Sequence, residues 1–401
     1  MFFSFGLVKE FMLAKKNVNS ILVLLSILLT FSLAEIFLQV TDFSYPSLYR
    51  LSETVGVEHL PGTKGWNRKE GEQYIKINRD GMRGPVFAKT KPPNTLRIAV
   101  LGDSMTEGSQ VAVKNVFSSI LENDLNKCNL FGEKKVEVIN FGVSDYGTAQ
   151  ELIVLREKVW PYDPDFVLLA IFTQNDISNN SAALEKQKMR PFFTYQGDEL
   201  LLDNSFRYLK EFKIKTSWAW RGLLFISQYS RTIQLMNKTR HRLMENEKRF
   251  IRLNVQMDQL GISVYFNPKN KEWNEAWKIT ESLIIKMRDE TRQRGAKFMI
   301  ATLSNDIQVH PDLQVQQDFM KENGLNNLFY PESRIEEFAT KNKISNVILA
   351  PKLAEHAQRN GVFLHGFENY GMGFGHWNEN GHRLAGHLIA EKFCAEVPWM
   401  K

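Results

Sequence analysis

The segment Leu101-Gly-Asp-Ser-Met-Thr-Glu-Gly108 has the composition of a reactive turn. It follows a strand candidate, Arg97-Ile-Ala-Val-Leu101, and precedes a helical pattern. A serine at a strand-to-helix turn, flanked by glycines that allow a tight backbone, can present its hydroxyl at a sheet edge with nearby amides free to bind an anion. The chemistry open to it is nucleophilic attack, with N–H donors holding the charge that develops. Two more segments follow strand candidates: Asn140-Phe-Gly-Val-Ser-Asp-Tyr-Gly-Thr148 and Thr173-Gln-Asn-Asp176. Far downstream, Gly375-His-Trp-Asn-Glu-Asn-Gly-His382 opens the last helical stretch.

Open parallel sheets collect reactive groups beyond the carboxyl ends of their strands, so the surrounding elements must supply such a sheet. Strands are expected at 97–101, 136–140, 166–172 and 297–303. The run Phe166-Val-Leu-Leu-Ala-Ile-Phe172 is apolar throughout, as befits a strand covered on both faces. Helices are expected at 117–126, 148–159, 277–294, 334–341 and 381–393. Strand and helix in alternation argue for a parallel sheet with helices on both faces. Residues 41–95 read as a lead-in with scattered turn signals and no long periodic element.

Upstream of the lead-in, in the segment 17–40, residues 17–34 carry no charge and Ile21–Ala34 is almost wholly apolar; Glu35 interrupts and the apolar pattern resumes, so the run counted through Val40 is 21–40. That is about the ~20 residues a helix needs to span a bilayer core. Lys9, Lys15 and Lys16 precede the run and the next basic residue is Arg50, which leaves residues 1–16 in the cytoplasm and sends the rest across the membrane. Ser32 and Ala34 form a small-x-small site that would suit a cleaved signal peptide instead. On either reading the working domain is exported.

The chain has 401 residues, 51 basic and 45 acidic, with 43 % hydrophobic residues. Its mean hydropathy is −0.31, which excludes both global disorder and a multi-span membrane protein. The charge is unevenly spread: residues 205–255 hold twelve basic side chains against three acidic ones, leaving the remainder slightly acidic. Trp218, Trp220, Leu223, Phe225 and Tyr229 form an apolar patch within that stretch. It reads either as a solvated helical insertion or as a surface for anionic headgroups or an anionic polymer. Nucleic acid is not an expected partner of an exported domain without a reader motif. Cys128 and Cys394 stand alone in sequence and read as two unpaired thiols, with no zinc site.

Taken in order, the four reactive segments resemble the SGNH hydrolases, also called the GDSL esterase/lipase superfamily. The resemblance covers roughly residues 96–395 and extends to Asn78-Arg-Asp-Gly-Met-Arg-Gly84, like the lead-in of membrane-anchored bacterial members. It implies a flavodoxin-like three-layer α/β/α sandwich, here with an N-terminal transmembrane helix and a helical insertion. It makes Ser104 the nucleophile, His376 the general base, and the Ser104 N–H, the Asp145 N–H and the Asn175 side-chain amide the oxyanion donors. Asp145 replaces the family's usual glycine, and the aspartate that normally precedes the histidine is missing, because those positions are Gly373 and Phe374. Either a backbone carbonyl holds the imidazole or Glu368 reaches in.

The implied activity is hydrolysis of a carboxylic ester, such as an O-acetyl group on a carbohydrate or cell-envelope substrate, by an exported, membrane-tethered single-pass protein. No metal or cofactor is implied. The same serine would also serve an O-acyltransferase or a lipase, and loss of the orienting acid would suit an inactive member that binds a glycan or a partner protein. Asp103 and Asp176 read as turn-holding residues, His382 as structural, and His356 and His365, with no adjacent nucleophile, as packed or exposed.

Overall fold

The computed structural model describes residues 3–128, 131–132, 134–252 and 259–396. The side chains of Lys9, Lys15 and Lys16, and of Lys248, Arg249 and Arg252 in the basic stretch, lie outside that description. Helix α1 (Phe3–Val40) runs unbroken through Ser32 and Ala34. Its segment Val18–Val40 is long and apolar enough to cross a membrane and is 6 % buried, so the fold itself does not cover it.

Residues 49–76 form two antiparallel hairpins, β1 (Tyr49–Ser52) with β2 (Gly56–His59) and β3 (Lys64–Asn67) with β4 (Gln73–Lys76). At four residues each, these strands are too short to show as periodicity. Then come β5 (Thr95–Gly102), α2 (Ser104–Glu107), α3 (Phe117–Lys127), β6 (Lys135–Asn140), α4 (Thr148–Val154), β7 (Phe166–Phe172) and α5 (Asp176–Asn179). A hairpin of β8 (Phe192–Gln196) and β9 (Glu199–Asp203) leads into α6 (Lys210–Thr216), α7 (Trp218–Tyr229) and α8 (Arg231–Arg252). The chain finishes with α9 (Gln259–Ser263), α10 (Lys271–Gln293), β10 (Lys297–Leu303), α11 (Leu313–Asn323), α12 (Tyr330–Lys341), β11 (Ser345–Ile348), α13 (Ala350–Asn360), the hairpin β12 (His365–Phe367) and β13 (Gly371–Trp377), and α14 (Glu379–Glu396).

The expected parallel sheet is present, with spatial order β6-β5-β7-β10-β11 and every neighbour parallel. Numbered by appearance within that sheet the order is 2-1-3-4-5, the flavodoxin-like arrangement, whose switch point falls between β5 and β7. One face packs against α4 and α10 through Leu152, Trp277 and Leu283, the other against α3, α13 and α14 through Leu121, Leu353 and Phe393. These side chains are all but fully buried, each stabilising the fold by roughly 1.5–3 kcal/mol. The layers are therefore α/β/α.

The structure corrects the expectation of two unpaired thiols. Cys128, at the C-cap of α3, and Cys394, near the end of α14, form a disulfide across 266 residues. Sequence spacing carries no trace of it, because the pairing depends on α14 lying along α3.

Candidate active site

Ser104 and Asn175 stand at the carboxyl ends of β5 and β7, on the two sides of the switch point. Ser104 is the first residue of α2, so its N–H has no acceptor within the helix. Asp103 caps that helix, its Oδ1 accepting from the Met105 N–H at 2.9 Å, which is the turn-holding role expected of it. The loop after β6 closes over this turn: a side chain at Gly142 would collide with the Glu107 N–H and with Thr106, so only glycine allows the approach.

His376, on β13, is brought to the serine across 272 residues, with Nε2 at 2.9 Å from Ser104 Oγ. Its Nδ1 faces neither a backbone carbonyl nor Glu368, which lies exposed. It faces Glu70, with Nδ1 at 2.6 Å from Oε2, while Oε1 accepts from the His376 N–H. Glu70 occupies the loop between β3 and β4 and is buried. That loop is wedged in place: Asn67 Nδ2 donates to the Ser109 carbonyl at 3.2 Å, and Gly71 exchanges two hydrogen bonds with the Asn369 side chain, at 3.0 and 2.9 Å. Gly375 has φ +80°, and a side chain there would strike the Glu70 carboxylate, so the residue before the histidine must be glycine.

The histidine loop is pinned from below as well. The Gly375 N–H donates to Asp306 Oδ2 at 3.0 Å, and the Gly375 carbonyl accepts from His365 Nδ1 at 2.6 Å. Burial pushes the His365 pKa down to about 3, so its ring is neutral, and His382 is held at about 3 by burial and by the charge of Arg83. His382 is buried in the structural role expected of it, and His365, expected to be packed or exposed, is packed. Burial would lower His376 too, but its hydrogen bond to Glu70 and the charges of Glu70, Asp103 and Glu107 outweigh burial and raise its pKa above the ordinary 6.5. A ring so placed can take the Ser104 proton and hold it as an ion pair with Glu70.

Glu107, in the same turn as the serine, is buried yet held at about 2. Burial opposes that charge, but His59 Nε2 at 3.3 Å, the Ser144 N–H and Oγ at 2.7 Å, and the Tyr49 hydroxyl at 2.8 Å prevail. Arg83, from the Asn78–Gly84 motif, donates to the carbonyls of Glu107, Gly108 and Val111. The residues before the sheet thus supply the imidazole's carboxylate and clamp the serine turn.

The remaining expected donors lie on the same edge. Asp145 has φ +71°, the left-handed conformation a glycine would take, and its carboxylate is engaged by buried Arg190, with Nη2 3.4 Å from Oδ2. Asn175 Nδ2 donates to Asp103 Oδ2 at 3.2 Å. Behind it Glu151 and Asp176 are fully buried, and burial raises both pKa values well above the carboxylate range, reinforced by the charge of Asp103 on Glu151 and by those of Glu151 and Asp103 on Asp176; burial also brings Asp103 to about 6. Asp176 Oδ2 accepts from the Phe172 N–H at 2.8 Å, holding the end of β7.

A serine, a histidine and a carboxylate in line at the carboxyl edge of a doubly wound sheet is the constellation serine hydrolases use on several unrelated folds. No protein-family model and no curated protein matches the chain. Among solved structures, a protein named for the lipolytic G-D-S-L family from Desulfitobacterium hafniense is 12 % identical, with 74 % of this chain and 99 % of that one covered and a TM-score of 0.35. A catalytic mutant of an acetylxylan esterase from Geobacillus stearothermophilus is 11 % identical, covering 76 % and 96 %, with a TM-score of 0.37. A GDSL-like lipase from Bacteroides thetaiotaomicron is 14 % identical, covering 78 % and 93 %, with a TM-score of 0.33.

Proposed function

We propose that this chain is an SGNH-type serine esterase, tethered by α1 with its α/β/α domain on the exported side of the membrane, that removes an acyl group such as acetate from a carbohydrate or cell-envelope polymer. The observation that carries it is the continuous line Glu70–His376–Ser104, with contacts of 2.6 and 2.9 Å. In the acylation step His376 Nε2 takes the Ser104 proton as Oγ attacks the ester carbonyl, while Glu70 steadies the imidazolium. The N–H groups of Ser104 and Asp145 and the Asn175 amide receive the oxyanion. His376 returns the proton to the departing alkoxide, and water repeats the sequence to release the acid.

Export is supported by the Cys128–Cys394 disulfide, since such bonds persist in oxidising compartments, and by α1 with its preceding lysines. An inactive binder would have no acid beside the imidazole, and the Glu70 carboxylate 2.6 Å from His376 Nδ1 supports the enzyme reading over it.

The full chain in detergent is expected to react with a fluorophosphonate probe and to hydrolyse p-nitrophenyl acetate, and Ser104→Ala to lose both. Equal behaviour of the two proteins would refute the proposal. Product analysis on an acetylated polysaccharide, with and without a free glycan acceptor, distinguishes hydrolysis from acyl transfer.

A further inference from the structure

Helix α7 is at odds with its surroundings. Its sequence, Trp-Ala-Trp-Arg-Gly-Leu-Leu-Phe-Ile-Ser-Gln-Tyr, is largely apolar, yet Ser227 is the one buried residue of its twelve. Trp218 is 87 % exposed, Tyr229 69 % and Phe225 64 %. A helix that is apolar on most sides ordinarily lies inside a protein or a bilayer, and a contiguous exposed patch of large apolar groups marks a surface that meets something else.

The next helix, α8, packs against both α7 and α1. Glu35, within the apolar span, accepts hydrogen bonds from the N–H groups of Arg231 and Thr232 at 2.7 and 3.0 Å and from the hydroxyls of Ser230 and Thr232 at 3.0 and 2.9 Å. It therefore caps α8 as an N-cap side chain would, but from another helix. The chain leaving α1 is fastened to the same corner: Gln234 Oε1 accepts from the Tyr45 N–H at 2.8 Å, and Gln228 Nε2 donates to the Ser47 carbonyl at 3.2 Å. Ser230 directly follows α7, and Glu35 stands five positions before Val40, the end of α1. At 1.5 Å per residue this is ~7.5 Å along the axis. The C-terminal end of α7 is thus held at the depth where the span ends.

We propose that α7 lies in the interface of the bilayer that α1 crosses, its aromatic and aliphatic side chains among the upper acyl chains and its basic neighbours among anionic headgroups. This rests on the reading of α1 as a membrane anchor. The chemistry matches the location: Trp and Tyr favour the headgroup boundary, and α6, α7 and α8 carry exposed Lys210, Lys213, Arg221, Arg240 and Arg242 for anionic headgroups. With two membrane contacts joined through Glu35, the catalytic domain is held at a set orientation instead of swinging on a single tether.

The test uses the full chain in vesicles of phosphatidylethanolamine and phosphatidylglycerol, carrying an environment-sensitive dye at Phe225→Cys, at Trp218→Cys or, in α1, at Leu29→Cys. The native cysteines are paired, so the dye goes to the new thiol. All three positions are highly exposed, so labelling leaves the core intact. Acyl chains brominated near the headgroup are expected to quench both α7 labels roughly twofold or more, and mid-chain bromines to quench Leu29→Cys more strongly than either. Quenching at Leu29→Cys with none at both α7 positions overturns the interfacial helix and leaves the anchor standing. No quenching at any of the three overturns both.

Discussion

Glu70 Oε2 stands 2.6 Å from His376 Nδ1, across 306 residues of chain, and the other oxygen of the same carboxylate accepts from the histidine's own N–H. One side chain therefore fixes both the ring and the strand that carries it. The Nδ1 proton is directed at Glu70, leaving Nε2 free to accept the serine proton.

Glu70→Gln is expected to lower kcat about 10³–10⁴-fold while leaving the fold intact, because the amide can keep the shape of the contact but not the charge that stabilises imidazolium. The acid limb of the pH profile follows His376, whose neutral form is the base. Its pKa is raised by Glu70, so removing that charge lowers it and moves the limb to lower pH. Kinetics across pH 4–9 check both effects, with Glu368→Gln expected to match wild type.

Asn175→Ala is expected to reduce kcat by about 10²–10³-fold with little change in KM, the signature of a donor used chiefly in the transition state. Asp145→Gly contrasts with it. Only the backbone N–H is invoked at that position and φ is already +71°, so kcat should stay within a few-fold of wild type. Steady-state rates on p-nitrophenyl acetate measure both.

Glu107 ties acid sensitivity to the serine turn. Its folded pKa is about 2, below the ordinary 4.5, so its contribution to stability is full above 4.5 and is lost as pH falls towards 2. Glu107→Gln is expected to be less stable at neutral pH, leaving Tyr49, His59 and Ser144 poorly paired, and to lose stability less steeply over that acid window. Urea unfolding at a series of pH values gives the slope.

The Cys128–Cys394 pair predicts no titratable thiol in the native protein and two after reduction in denaturant. Cys394→Ser is expected to cost about 2–5 kcal/mol of stability through the long loop the bond closes. Thermal unfolding with and without reductant measures it.

Much of the scaffold was legible. The strands at 166–172 and 297–303 have the same bounds in sequence and structure, because a run of apolar residues covered on both faces leaves no choice of register. The helix expected from 277 begins earlier, at Lys271, where the Asn270 side chain caps it by accepting from the Trp273 N–H. The helix expected over 148–159 is α-helical only to Val154 and widens to a π-helix over Leu155–Val159. The hairpins of residues 49–76 leave no mark in the sequence pattern, because four-residue strands hold too few alternations to count.

Local sequence determined which residues could be nucleophile, base and oxyanion donors, since turn chemistry and the strand-to-helix transition operate over a few neighbouring positions. It also determined that one helix could enter a membrane. Only the tertiary structure decided which carboxylate serves His376, because Glu70 is one of 45 acidic residues and becomes special only when the β3–β4 loop closes on the β12–β13 hairpin. The same holds for Cys128 with Cys394 and for Glu35 with the start of α8. Each is a contact between distant segments, set by how amphipathic layers pack, and a residue's neighbours in sequence carry no information about that.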